Sequence, residues 1–313
     1  MTTQQQSCVI LGAGLAGLTA AHFLTQRGVA VTVLDKGRGV GGRLASRSFD
    51  GGRFDHGAQY FSVRTPEFRK FLKPFENTGL VREWNARPDG HPRYVVRGGM
   101  SALAKALAQN LDVRTGEKVV RLRSEPSGGC TLLTEAGNQI FAENLILTLP
   151  VPQALALFGA SDIALAEADH SALTTIEYEP CWAVMATLTA QPPIPAPGGL
   201  RLENSPVAWL ADNRQKGISE KPAVTLHASV AFSREHLEAD PVAVQQTLLD
   251  AVRTYVPTDT VATVQIHRWR YSLAAKRYPA PFRKLSLPFP AWIGGDAFGI
   301  GNVEGAFLSG EGM

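Results

Sequence analysis

Near its start the chain alternates short unbroken apolar runs with one amphipathic stretch. Cys8-Val9-Ile10-Leu11 is an apolar run closed by glycine, the pattern of a strand buried on both faces of a parallel sheet. Leu15 to Gln26 lines up Leu15, Leu18, Ala21, Phe23 and Leu24 on one side and predicts a helix, with Gly28 placed to stop it. Val29 to Leu34 is a second run, rich in β-branched residues and closed by Asp35. Strand, helix and strand in this compass predict a βαβ unit.

Beyond it the pattern loosens and glycines crowd between Gly37 and Gly52, where backbone must approach something closely. Arg64 to Phe75 predicts a helix, and Gly98-Gly99-Met100 opens another through Gln109. Val113 to Leu149 alternates like a β-meander, with Ser127-Gly128-Gly129 and Ala136-Gly137-Asn138 as its hairpin loops. Pro192 to Gly199 reads as a loop, Val224 to Val230 as a strand, Pro241 to Tyr255 as a helix and Val261 to Tyr271 as a strand. Ala291-Trp292-Ile293 is a last short buried strand before Gly294-Gly295-Asp296.

Composition changes the picture in three places. At 313 residues and 44% hydrophobic content, the chain has material for two domains and a substantial core. Its 31 Lys and Arg stand against 28 Asp and Glu without a basic run, so no nucleic-acid partner is expected. Three distant cysteines (Cys8, Cys130, Cys181) suit a reduced compartment and carry no metal-ligand spacing. Met1 to Ser7 lacks the charge and apolar stretch of a secretory signal, and no run reaches the roughly eighteen apolar residues that span a bilayer. The expectation is a soluble cytoplasmic protein without metal or membrane partner.

Gly12-Ala13-Gly14-Leu15-Ala16-Gly17 is a G-x-G-x-x-G fingerprint in the required setting, after a strand and opening a helix, with Asp35 and Lys36 at the end of the next strand. The first glycine makes the turn and the second admits a pyrophosphate. The third lets helix and strand pack closely, and the helix amino terminus favours the anion. Asp35 is the expected acceptor for a ribose hydroxyl. This motif alone leaves NAD and FAD open.

The next segment chooses. Arg38-Gly39-Val40-Gly41-Gly42-Arg43, with Arg47 further on, resembles the second fingerprint of the FAD-containing amine oxidase superfamily. Asp55-His56-Gly57-Ala58-Gln59-Tyr60-Phe61 and Arg97-Gly98-Gly99-Met100-Ser101 look like its renalase branch. So do Trp209 to Arg214, Leu226-His227-Ala228, His267 to Tyr271, Gly295-Asp296 and Val303-Glu304-Gly305-Ala306. Taken in order, the chain resembles bacterial renalase-like FAD oxidoreductases over essentially its whole length.

The resemblance implies an α/β fold: a Rossmann-type FAD-binding domain with a second, mainly antiparallel-sheet substrate domain, in the p-hydroxybenzoate hydroxylase-like or amine oxidase architecture. Residues 1–60, 95–170 and 272–313 would form the discontinuous FAD domain, and residues 61–94 and 171–271 the substrate domain. FAD would be bound noncovalently, since no cysteine follows Cys181 to link it. Gly42 and Arg43 would hold phosphate, Val119 the adenine through backbone atoms, and Gly295 with Asp296 the ribityl chain or pyrophosphate. His56, Gly57, Ala58 and Gln59 would form a flavin-contacting turn. Val303, Glu304 and Ala306 would open a helix whose amino terminus stabilises charge at the flavin N1/O2 edge.

On the substrate side the resemblance implies His227, Tyr60, Asn213, Trp182, Trp209 and Trp269, as aromatic walls with amide-orienting groups. Their residue types alone leave ordinary core roles open, for Trp182, Trp269 and His227 above all. The remaining histidines, His22, His91, His170, His236 and His267, receive no role. No lysine stands where amine oxidases hold water beside flavin N5; Lys221 is the nearest and reads as a solvated loop residue. The implied reaction is oxidation of 2- or 6-dihydro isomers of NAD(P)H to NAD(P)+ with formation of hydrogen peroxide. An amine oxidase or desaturase of the same superfamily, and a non-catalytic FAD-binding protein, stay open. Two departures stand out: Ala297-Phe298 follows the Gly-Asp pair where the branch often has tryptophan, and the stop at Met313 predicts a short, poorly anchored last helix.

Overall fold

The computed structural model describes residues 7–86, 92–161 and 163–313. His91, and the segment 1–6 on which the leader expectation rests, lie outside the described residues.

The first βαβ unit forms as its pattern requires. β1 (Ser7–Leu11), α1 (Leu15–Gln26) and β2 (Ala30–Asp35) follow one another, and β1 pairs in parallel with β2, Ile10 opposite Val33. Val9, Ile10 and Leu11 are buried on both faces, which is why their run is unbroken by polar residues. The sheet has six strands in the order Phe282–Leu285, Ala291–Gly294, Asn144–Leu147, β1, β2, Asp112–Thr115. All pairings are parallel except that of the edge strand Phe282–Leu285.

The meander expected over residues 113–149 is therefore corrected. Only Val119–Ser124, Cys130–Thr134 and Gln139–Ala142 form a small antiparallel sheet. The flanking strands join the parallel sheet on opposite sides of β1 and β2. Leu145, Ile146 and Leu147 are an apolar run like β1, and Asp112 accepts the Thr32 hydroxyl at 2.8 Å.

A second sheet is antiparallel throughout, in the order Gly199–Arg201, Val207–Asp212, Ala223–Ala228, Glu177–Leu188, Val261–Lys276. Residues directly opposite one another share a face. Trp269 stands opposite Cys181 and Arg268 opposite Trp182, so the two tryptophans point to opposite faces. Trp182 joins a core with Val184, Leu210 and Leu226 under the helices Val230–Glu235 and Pro241–Asp250. The other face carries His267, Trp269 and His227.

The last helix, Asn302–Gly312, is anchored firmly, contrary to the expectation from sequence. It packs on α1 so closely that a Cβ at Gly310 would lie 2.3 Å from the Ala16 carbonyl oxygen. Phe307 is fully buried against Phe68 and Phe71 of the helix Pro66–Asn77, and the Ser309 hydroxyl accepts the Gly295 N–H at 2.7 Å.

Candidate active site

Two glycine segments meet at the carboxyl ends of β1 and β2. Gly41 N–H donates to the Ala13 carbonyl at 2.8 Å, drawing the second glycine segment onto the first. Asp35 fastens both: one carboxylate oxygen accepts Ala13 N–H and the other Gly37 N–H, each at 2.7 Å. The residue expected to meet a ribose hydroxyl thus already organises the loops around it. Ala13 is engaged on both its polar groups, and Gly17 faces the Gly12 carbonyl, so neither lines the cavity beside them.

That cavity measures about 1160 Å³, above the roughly 300–1,000 Å³ of a typical small-molecule site. Gly12, Gly14, Leu15, Ala16, Asp35, Lys36, Gly42 and Arg43 line it, with Gly57, Ala58, Gln59, Val119, Gly295, Asp296, Val303, Glu304 and Ala306. Thr148, which the sequence reading passed over, joins them and donates its hydroxyl to Leu11 and Gly12 carbonyls at 3.0 and 3.1 Å.

Gly14 tests whether a dinucleotide suits this cradle. Its φ of −76° and ψ of 179° are open to any residue, and among the described residues beyond its own chain neighbours and the local helix backbone no atom lies within 4 Å of where a Cβ would be. Neither backbone strain nor packing calls for glycine there; close approach of a bound group to the start of α1 does. Gln59, also on the cavity, keeps a buried Oε1 without a partner among the described residues. The residues fit FAD.

Arg43 and Asp296, each expected to meet the cofactor, also meet one another, Nη1 to Oδ2 at 2.7 Å. Burial raises the Asp296 carboxyl above its usual range, and Arg43 opposes that. Glu304 is buried, its carboxylate accepting the Arg64 and Thr65 amides and the Thr65 hydroxyl. It ties the start of the last helix to the start of the helix Pro66–Asn77.

Across the cavity stands a wall of rings. His56 offers its carbonyl to Trp269 Nε1 at 2.8 Å and to His227 Nε2 at 3.1 Å. A carbonyl only accepts, so His227 carries its proton on Nε2 and leaves Nδ1 as the ring's acceptor. Burial pushes the His227 imidazole down to about 4, the bond to His56 opposing and Lys216 adding repulsion. Burial likewise holds His56 at about 3, helped by His267 and Arg47. His56 stacks on Trp269 with ring centroids 5.5 Å apart and meets the edge of His267. These imidazoles are neutral at pH 7.

His227, Tyr60 and Trp269 line the cavity; His56, Trp182, Trp209 and Asn213 do not. His56 supports the wall from behind. Trp182 belongs to the core of the opposite sheet face, its indole N–H donating to the His236 carbonyl at 3.1 Å. Trp209 lies opposite His227 on the near face but sits behind Tyr60, ring centroids 5.5 Å apart. Asn213 is fully buried and donates to Thr225 Oγ1 at 2.9 Å. His267, given no role from sequence, lines the cavity. Lys221 is exposed and donates to the Asp50 carbonyl, whereas Lys216 is wholly buried behind the wall against Asp55. Among the described residues no group of three or more His, Cys, Asp or Glu is arranged to hold a metal, and no helix is long and apolar enough to cross a membrane.

Comparison with known proteins agrees with this geometry. The model of the NAD(P)-binding Rossmann-like domain matches residues 10–75, and that of the flavin containing amine oxidoreductases matches residues 76–312. Renalase of Mus musculus is 25% identical over 328 aligned positions, covering 96% of this chain and 95% of its own. Protoporphyrinogen oxidase 2 of Arabidopsis thaliana is 34% identical over 94 residues, 30% of this chain and 18% of its own. Among solved structures, putrescine oxidase bound to putrescine superimposes with a TM-score of 0.72 at 16% identity, covering 98% of this chain and 97% of that one. A protein from Exiguobacterium sp. 255-15 reaches 0.76 at 14% identity, over 100% and 98% of the two chains. Both share the fold.

Proposed function

Because this chain belongs to the flavin containing amine oxidoreductase family, and is thereby a FAD-dependent oxidoreductase, we propose that it oxidises a small planar hydride donor. The donor is a 2- or 6-dihydro isomer of NAD(P)H, and the products are NAD(P)+ and, with oxygen, hydrogen peroxide. The likeness to mouse renalase over nearly the whole chain supports this reading.

The observation that carries it is the neutral ring wall. Trp269, His267 and His227 line the cavity, and His227 has a carbonyl partner where a general base would have a carboxylate. An amine must shed a proton as it loses hydride; a dihydronicotinamide simply becomes aromatic and needs no base. Bound FAD supplies the two-electron acceptor. The protein's part is orientation: flat rings to hold a flat donor, and His227 Nδ1 to accept from its carboxamide. The start of the helix Asn302–Gly312 supplies amides favourable to developing negative charge. In this reading residues 1–60, 95–170 and 272–313 hold the cofactor, while 61–94 and 171–271 roof the donor.

Anaerobic stopped-flow mixing of the holoenzyme with the two isomers tests the proposal. Bleaching of the flavin is expected. A flavin that stays yellow with both isomers but bleaches with a primary or secondary amine would establish an amine oxidase instead. One that no donor bleaches would mark a non-catalytic binder.

A further inference from the structure

Among the described residues six cationic side chains line the cavity, and five are already spoken for. Arg43 pairs with Asp296 and Lys118 with Glu135. Lys36 donates to Gln153, and Arg268 and Arg270 share Glu238. Arg64 is the exception: it is exposed on the cavity, and its guanidinium has no partner among the described residues.

The backbone beneath it is nevertheless fixed. Arg64 N–H and the neighbouring Thr65 groups converge on the buried Glu304 carboxylate, at distances of 2.6 to 3.1 Å. That carboxylate is consumed by its four contacts and leaves the guanidinium unpaired. The result is an exposed cation on a fixed stem, four residues beyond Tyr60 of the donor wall and beside the start of the helix Asn302–Gly312. A guanidinium on the cavity without a carboxylate partner among the described residues is suited to bind an anion.

We propose that Arg64 selects the donor by its phosphate, holding the pyrophosphate of a dinucleotide and so preferring it to the same ring on an uncharged riboside. This rests on the reading that the donor is a dihydronicotinamide. Cofactor phosphate is not its target, because Arg43 and the two glycine segments occupy that part of the cavity.

The test compares wild type with Arg64→Ala and Arg64→Lys in anaerobic flavin reduction, using 6-dihydro-NAD and the 6-dihydro form of nicotinamide riboside. Wild type should bind the dinucleotide more tightly. In Arg64→Ala that preference should shrink about ten- to a hundredfold, the size of one lost charge-assisted contact. Arg64→Lys should restore part of it. An undiminished preference in Arg64→Ala, with wild type bleaching normally, overturns the assignment while leaving the proposed reaction intact. Loss of flavin from Arg64→Ala on gel filtration also overturns it, by assigning the residue to the cofactor. No bleaching of wild type by either compound overturns the reaction, and this inference with it.

Discussion

Lys216 Nζ lies 2.7 Å from Asp55 Oδ2, and neither side chain is exposed at all. The other Asp55 oxygen accepts the Ser46 hydroxyl at 2.6 Å and the Met100 N–H at 2.8 Å. Burial pulls the Lys216 ammonium below its ordinary range, and Asp55 works against that. The pair anchors the strand from which the segment Gly57 to Tyr60 departs along the cavity. Lys216→Met leaves a buried carboxylate unpaired and should cost about 3–5 kcal/mol. Lys216→Met with Asp55→Asn should cost less than the two single losses summed. Urea unfolding of the holoprotein measures both; a single-variant loss under about 1 kcal/mol would remove the pair from the fold's supports.

Gly14 and Gly17 lie three residues apart and should fail in different ways. A Cβ at Gly17 would sit 2.0 Å from the Gly12 carbonyl oxygen, so Gly17→Ala should lower the melting temperature of the apoprotein. Gly14→Ala meets no protein atom and should melt as wild type, yet weaken flavin binding by roughly tenfold or more. Equal flavin affinity in Gly14→Ala would mean that nothing approaches the backbone there.

Arg43→Ala and Asp296→Ala should each weaken flavin retention about ten- to a hundredfold. Because the two groups pair, the double variant should lose less than the product of the singles. The flavin should come away entirely on acid precipitation. Burial pushes the Cys8, Cys130 and Cys181 thiols up to about 12, and none of the three lines the cavity. Flavin remaining in the acid pellet would contradict noncovalent binding.

His227→Ala should slow flavin reduction roughly ten- to a hundredfold, as for a lost orienting contact, against about 10²–10⁴ for a lost general base. With His227 held at about 4 and His56 at about 3, the reduction rate should be level from about pH 5 to 8. A step near pH 6.5 would show an imidazole titrating in the reaction. Stability has a definite sign too. Both imidazoles are neutral when folded and take up protons more readily when unfolded, so stability falls as pH drops from about 6.5 toward 4. Each contributes up to roughly 1.4 kcal/mol per pH unit. Thermal melts across that window check it; flat melting temperatures would show that folding does not lower the two imidazole pKa values.

The βαβ unit was legible because an apolar run, a helical stripe and a glycine stop are local signals, and α1 spans the predicted residues. The wall was not, because it depends on register. Trp182 and Trp269 both fall within strands, and the pairing of Cys181 with Trp269 sends one into the core and the other to the cavity face. His267 follows from the same register, two residues along its strand. Lys216 gave no sign at all: its partner is 161 positions away, and a lysine in a polar loop sequence reads as solvated.

The seating of Gly310 against Ala16 has a consequence for biosynthesis. The cofactor cradle is closed by segments nearly three hundred residues apart, so its walls come together only after both have been synthesised. Contacts this remote in sequence are slow to form, since the loop entropy must be met before they stabilise anything. Until then α1 presents to water the face that the last helix will cover, and flavin finds no finished site. Flavin that binds only the closed cradle therefore also holds these remote segments together, and its binding energy adds to the stability of the fold.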